Sequence, residues 1–130
     1  MADVEFSDEF CQFLQAVVPA VDAAELLLFI ADRPDLWWDL DQALNKLKPG
    51  VNITRTDAER YLTVFAAQRL IEVGEDRKFR YLAGTPELAG HVRMLAQAYE
   101  ERPVTLIRVI YAMRDSKIRT FADAFRLRKK

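Results

Sequence analysis

The spacing of apolar residues changes once along this chain, between residues 70 and 82, and that change limits the folds it can adopt. On both sides, apolar residues recur at the three- and four-residue intervals of amphipathic helices. Leu70–Val73 and Lys78–Leu82 instead have the pattern of short strands, and Gly74–Arg77 between them has the composition of a hairpin turn. The sequence therefore predicts a mainly α fold of the α+β class, with one two-stranded hairpin.

The helical segments are bounded by capping residues and prolines. Helices are predicted at about 8–17, 23–32, 36–48, 57–70, 86–102 and 104–114, with a last short helix around Phe121, Ala122 and Phe125. The N-terminal caps predicted for the first five are Ser7, the box Asp22–Glu25, Asp35, the box Thr56–Glu59, and Thr85 before Pro86. The 23–32 helix is apolar nearly all round, so we expect it in the centre of the core.

Length and composition favour one folded domain over residues 1–130. The chain has 130 residues, of which 51% are hydrophobic and 30% charged, so it can bury a core and disorder is excluded. One cysteine, Cys11, and one histidine, His91, exclude a disulfide framework, a four-cysteine zinc site and a multi-histidine metal site. We expect Cys11 to be a small buried apolar residue and His91 to lie at the surface or at an interface.

Several classes of function lack their sequence signals. The acidic N-terminus has no signal-peptide pattern, and the densest apolar run, Ala23–Ala31, is about half of the ~20 residues that span a bilayer. We therefore expect a cytoplasmic protein that does not bind a membrane. The chain has no glycine-rich phosphate loop and no nucleophile or metalloprotease motif. We expect neither an enzyme nor a bound metal or cofactor.

Charge is distributed unevenly along the chain. Residues 1–45 carry ten acids and one base, whereas residues 46–130 carry ten acids and eighteen bases. Two interpretations stay open: the second half binds an anionic partner, or the acidic segment packs near the basic one. The basic tail 116–130 likewise has three interpretations: it holds phosphates, it pairs with the acidic segment, or it is solvated.

The stretch from Ala58 to Val73 carries a family resemblance. Its pattern is Ala58, Leu62, Phe65, then Arg69-Leu70-Ile71-Glu72-Val73, followed by a hairpin that ends in Phe79-Arg80-Tyr81-Leu82. This resembles the winged helix-turn-helix of bacterial transcription regulators of the MarR and PadR types, with Arg69 in place of the usual glycine before the wing. The resemblance implies a winged-helix core at about 20–84, and helices at about 85–130 that form a homodimer.

The resemblance also implies a site for double-stranded DNA. Arg55, Thr56, Arg60 and Thr63, on the 57–70 helix and just before it, would face the major groove, and Arg77, Lys78 and Arg80 would form the wing. Asp57 and Glu59 oppose this, because carboxylates repel phosphate; alternatively, they complement the helix N-terminus or accept a hydrogen bond from cytosine. The alternative function is a protein–protein interaction module, an adaptor or a regulator of another regulator, that does not bind DNA.

Two further patterns bear on ligands and partners. Trp37 and Trp38 would point about 100° apart on a helix, so we expect one in the core and the other at the surface, where it lines an interface or a pocket for a small molecule. The stripe on the 86–102 helix and the apolar 104–113 helix are either core or dimer surface. That stripe comprises Leu88, Val92, Leu95 and Tyr99.

Overall fold

The computed structural model describes residues 6–47 and 50–113. Within those residues the chain forms six helices and one two-stranded antiparallel sheet, so the prediction of a mainly α fold with a hairpin is confirmed. The helices are α1 (Asp8–Val17), α2 (Val21–Ala31), α3 (Leu40–Lys46), α4 (Arg55–Ala67), α5 (Pro86–Glu101) and α6 (Pro103–Met113), and the strands are β1 (Ile71–Val73) and β2 (Phe79–Tyr81). The short helix predicted around Phe121, Ala122 and Phe125, and the basic tail, lie outside the described residues.

Helix α2 is the centre of the core. Leu26, Leu27 and Ile30 are fully buried, and the helix packs against α4, α5 and β2. Because α2 is apolar on nearly every side, it gains from burial on every side. Its predicted central position is confirmed.

Two of the predicted caps are present. The Ser7 hydroxyl accepts a hydrogen bond from the N–H of Phe10 at the start of α1, and the Thr85 hydroxyl accepts one from the N–H of Leu88 at the start of α5. In each case a short polar side chain satisfies one of the free N–H groups in the first helical turn.

Three other helix starts differ from the prediction: those of α2 and α4, and that of α3, which is described in the next paragraph. Helix α2 begins after Ala20 without a side-chain cap, so the box Asp22–Glu25 does not form. Helix α4 is capped by Thr54, two residues before the predicted Thr56, and its third position is Asp57. Glu59 therefore has no part in a capping box and is exposed. The sequence before α4 offers two threonines as caps, Thr54 and Thr56, and local spacing does not distinguish them. The packing of α4 against the core selects Thr54.

The third helix is shorter than predicted, and this changes the role of the two tryptophans. Asp39, not Asp35, caps α3 and forms a reciprocal capping box with Gln42. Residues 36–38, within the helix predicted at 36–48, are not helical. Trp38 instead pairs antiparallel with Phe79 through two 2.8 Å main-chain hydrogen bonds. A side chain at 38 packs onto the core when its neighbour at 37 points away, because successive residues of extended chain face opposite sides.

Two arginines hold left-handed backbone conformations at the ends of structural elements. Arg69, at φ +63°, follows α4, where the N–H groups of Arg69 and Leu70 donate to the carbonyls of Ala66 and Phe65. This pair of bonds is a Schellman cap, which usually places glycine in the left-handed position. The second is Arg77, at φ +67° in the hairpin turn.

Candidate functional site

All four residues predicted to read the major groove are exposed on α4. The opposite face of this helix buries Ala58, Tyr61 and Phe65 against the core, which turns the remaining face outward. That outward face carries Arg55, Thr56, Arg60 and Thr63. The Thr63 hydroxyl donates to the carbonyl of Glu59 at 2.9 Å, so part of its polar capacity is used within the helix.

Both arginines of α4 are paired with carboxylates on the same surface. Arg55 forms an ion pair with Asp41 of α3, and Arg60 forms one with Asp57 in the preceding turn. All four side chains are at least 39% exposed, so these are surface pairs. Sequence reasoning missed Asp41, which is fourteen residues from Arg55 and meets it only because α3 and α4 pack together.

The three basic residues of the hairpin lie in different surroundings. Arg77 and Lys78 are exposed at the turn, where the N–H of Gly74 donates to the carbonyl of Lys78 at 2.7 Å. Arg80 is half-buried instead: its Nε donates to Oε1 of Glu72 on β1 at 2.9 Å. Glu72 and Arg80 are directly opposite each other across the antiparallel register.

Trp37 stacks on the guanidinium of Arg80. The Cζ of Arg80 lies 4.8 Å from the centre of the Trp37 ring, a cation–π distance. Trp37 remains 39% exposed, while Trp38 is 5% exposed and packs against Phe29 with ring centres 4.8 Å apart. We call the surface formed by Trp37, Glu72 and Arg80 the hairpin face.

Exposed apolar side chains occur in the hairpin and in the segment that precedes Trp38. Among the described residues, seven large hydrophobic side chains are strongly exposed, and four of them belong to the hairpin or to the segment that pairs with it. These four are Leu36, Trp37, Val73 and Leu82. Of these, Trp37 belongs to the hairpin face, whereas Val73 is on the side of β1 opposite to Glu72, because successive residues of a strand face opposite sides.

The α3–α4–hairpin region carries almost no net charge. Residues 39–82 contain seven acids and eight bases. A surface that binds nucleic acid through phosphates is usually strongly basic, because its affinity comes from charge neutralisation. Here Asp41, Asp57 and Glu72 offset three of the five predicted basic contacts.

A separate cavity of about 830 Å³ lies between α2 and α5. Neither Trp37 nor Trp38 lines it, so the predicted pocket at those residues is not where the cavity lies. Burial and a hydrogen bond to the Glu25 carboxylate raise the pKa of Tyr99, in its wall, to about 12. Burial also raises the pKa of Tyr81, an effect that the positive charge of Arg93 partly offsets.

His91 and Cys11, the only histidine and the only cysteine of the chain, both pack within the fold. His91 stacks on Phe13 with ring centres 5.1 Å apart, and Cys11 is half-buried in α1. Among the described residues, no three His, Cys, Asp or Glu side chains are grouped so that they could hold a metal ion. In the same part of the chain no single helix is long and apolar enough to cross a membrane, although α1 and α2 pass that test as a pair bent by 98°.

Comparison with known proteins gave no relatives. Neither the models of protein families, nor the curated proteins, nor the solved structures contain a match to this chain.

Proposed function

We propose that this chain is a winged-helix domain that binds a protein partner through its hairpin face. The element order supports the winged-helix part of the proposal. Helix α2 is followed by the extended residue Trp38, helices α3 and α4, and a hairpin whose second strand pairs back with Trp38. The α3–α4 pair would be the helix-turn-helix, the hairpin the wing, and α5 and α6 the helical extension.

The stacking of Arg80 between Glu72 and Trp37 carries the proposal of a protein partner. Tryptophan and arginine are the residues that most often dominate the binding energy of protein interfaces. A guanidinium held by a ring and a carboxylate loses little further freedom on binding, so its contacts are gained at a small entropic cost. Leu82, two residues after Arg80 on the extended chain, adds an exposed apolar side chain on that side of the hairpin.

The charge pattern favours a protein over DNA as the partner. Asp41 and Asp57 form ion pairs with the two arginines of α4. Glu59, which comes between those arginines in the sequence, is exposed and has no capping role. A duplex that approached α4 would meet three carboxylates beside two guanidinium groups. A protein surface of mixed charge meets no such repulsion.

DNA binding is the second candidate function, and two observations favour it. Arg77 and Lys78 project from the turn, and neither belongs to an ion pair among the described residues. Opening a surface ion pair costs only about 0.2–1 kcal/mol, so Arg55 and Arg60 remain available to phosphates. In this case the chain would be a transcription regulator that uses the seven predicted contacts.

One pair of experiments separates the two functions. The first is fluorescence anisotropy of a pool of genomic DNA fragments with the full chain at two salt concentrations. We expect no salt-dependent complex in the micromolar range. A complex that weakens with salt, and that Arg60→Ala plus Arg77→Ala abolishes without lowering the melting temperature, would overturn the protein proposal in favour of DNA.

The second experiment tests the hairpin face directly. The full chain and its Trp37→Ala variant are immobilised and used to capture proteins from the cells that produce it. We expect a partner that the wild type retains and Trp37→Ala loses, whereas Met94→Ala, an exposed apolar residue on α5, retains it. Equal recovery by the wild type and Trp37→Ala would remove the hairpin face from the interaction.

A further inference from the structure

The cavity between α2 and α5 is a shaped space with walls of apolar and aromatic side chains. One wall comes from α2 and the other from α5, at the three- and four-residue spacing of a single helix face. The α5 wall includes Ala89 and Ala96, whose small side chains leave room between the helices. Its volume of about 830 Å³ is in the range of small-molecule sites.

The aromatic lining is held in place by the fold. Phe29 packs against the buried Trp38, and Tyr81 is half-buried on β2. Tyr99 hydrogen-bonds to the carboxylate of Glu25, which links the first turns of α2 to the last turns of α5. The rings are therefore presented to the cavity in fixed positions.

The polar groups of the cavity carry an excess of negative charge. Among the described residues that line it, three are carboxylates, Glu25, Asp32 and Glu100, and one is a guanidinium, Arg93. None of the ion pairs within the described residues involves these carboxylates. Glu100 follows Tyr99 in α5, and Glu25 bonds to Tyr99, so two carboxylates lie at the same end of the cavity.

We propose that this cavity is a binding site for an organic cation that carries aromatic or aliphatic groups. Its apolar part would lie against Leu28, Phe29 and Val92, and its positive charge near Glu25 and Glu100. The faces of Tyr81 and Tyr99 would add cation–π attraction. An anion of the same shape would meet three carboxylates, and a neutral molecule would leave them without a counter-charge.

Two probes of equal shape and opposite charge test the proposal. Tetraphenylphosphonium and tetraphenylborate are titrated separately into the full chain by calorimetry. We expect the cation to bind and the anion not to bind. Equal binding of both ions, or no binding of the cation at millimolar concentration, would overturn the proposal.

Matched variants locate the cation. Glu25→Gln and Glu100→Gln should each weaken tetraphenylphosphonium about fivefold to tenfold, the effect of removing one nearby charge. Glu101→Gln is the control, because Glu101 is also exposed in the last turn of α5 but does not line the cavity. An equal loss in Glu101→Gln would mean that the cation responds to overall charge and not to this site.

A second pair of variants tests whether the cation occupies the volume of the cavity. Ala96→Phe fills the cavity from the α5 wall and should abolish cation binding, whereas Gln97→Phe places the same ring on the neighbouring position, outside the cavity, and should leave it unchanged. Both positions are exposed, so both variants are expected to fold, which a melting curve checks. Undiminished binding in Ala96→Phe would overturn the proposed location.

Discussion

Gly84 lies against Arg69 so closely that a β-carbon on residue 84 would be 3.0 Å from the β-carbon of Arg69. The N–H of Gly84 also donates to the carbonyl of Arg69 at 2.8 Å. Gly84 thus fastens the segment that leaves the hairpin onto the cap of α4. Its role is one of close approach, since its backbone is not in the left-handed region.

We expect Gly84→Ala to lower the free energy of unfolding by about 1–2 kcal/mol, because the added methyl group meets Arg69. Arg69→Gly should have the opposite sign and stabilise by up to about 1 kcal/mol, since glycine adopts the left-handed conformation without strain. It also removes the β-carbon that the methyl group would meet, so Gly84→Ala should be less destabilising in the Arg69→Gly background. Urea unfolding of the four proteins measures this coupling, and strictly additive effects would show that the two residues do not interact.

Gly90 provides the contrasting case. It lies inside α5, and the nearest atom to an added β-carbon is a guanidinium nitrogen of Arg93 at 3.7 Å, an ordinary contact. Gly90→Ala should therefore stabilise the protein by up to about 1 kcal/mol, the difference in helix propensity between the two residues. Thermal unfolding checks the sign, and a lower melting temperature would mean that the space beside Gly90 is already filled.

The raised pKa of Tyr99 predicts a loss of stability at high pH. In the folded chain the pKa of this phenol is raised to about 12, whereas in the unfolded chain it has its ordinary value of 10.0. Its contribution is fully present below pH 10 and is lost as the pH rises toward 12. The melting temperature of the wild type should therefore fall more steeply over this interval than that of Tyr99→Phe.

Glu25→Gln separates the causes of that shift. It removes the carboxylate charge while leaving the phenol buried, so the pKa of Tyr99 should fall part of the way back toward 10.0. The ultraviolet absorbance of tyrosinate, followed against pH, reports this change. An unchanged titration would assign the whole shift to burial.

Helix α6 has an apolar stripe that the described part of the chain does not cover. Val104 is 66% exposed and Tyr111 51% exposed, two helical turns apart, with the half-buried Ile107 between them. Val92 and Leu95, from the stripe predicted on α5, are buried instead in the chain's own core. We therefore expect this chain to form a homodimer, with α6 in the contact, because a twofold partner is the usual way to cover such a stripe.

Analytical ultracentrifugation of the full chain tests this expectation. The wild type should sediment as a dimer and Val104→Glu as a monomer, because a carboxylate within an apolar contact is left without a partner. A melting curve shows whether the variant still folds. A wild-type chain that is monomeric at every concentration would contradict the prediction.

Local sequence predicted most of the helices and the hairpin of this fold. The start of the third helix depended instead on pairing between distant residues. Ser7 and Thr85 cap the helices they were expected to cap, and the hairpin lies where the apolar spacing changes. Asp35 and Asp39 both have a suitable sequence context for capping the third helix. The choice of Asp39 follows from Trp38, which is extended because it pairs with Phe79, 41 residues further along the chain.

In the candidate surfaces, too, some features follow from local sequence and others only from tertiary packing. Exposure of Arg55 and Arg60 followed from the helical period of α4, whereas the ion pair of Arg55 with Asp41 required the packing of two helices. Likewise, the small side chains of Ala89 and Ala96 acquire meaning only when α2 lies opposite them. Their contribution to a cavity is a property of the tertiary structure.

The two main-chain bonds between Trp38 and Phe79 also determine how the hairpin moves. A free two-stranded hairpin opens readily, but here its second strand is bonded on both sides, to β1 and to the segment that leads into α3. The amide protons of Trp38 and Phe79 should therefore exchange with solvent only when the helical core itself opens, far more slowly than those at the turn. A force applied at Trp37 or Arg80 is transmitted directly to the backbone that precedes α3, so the hairpin and the helices respond to a bound partner as one rigid unit.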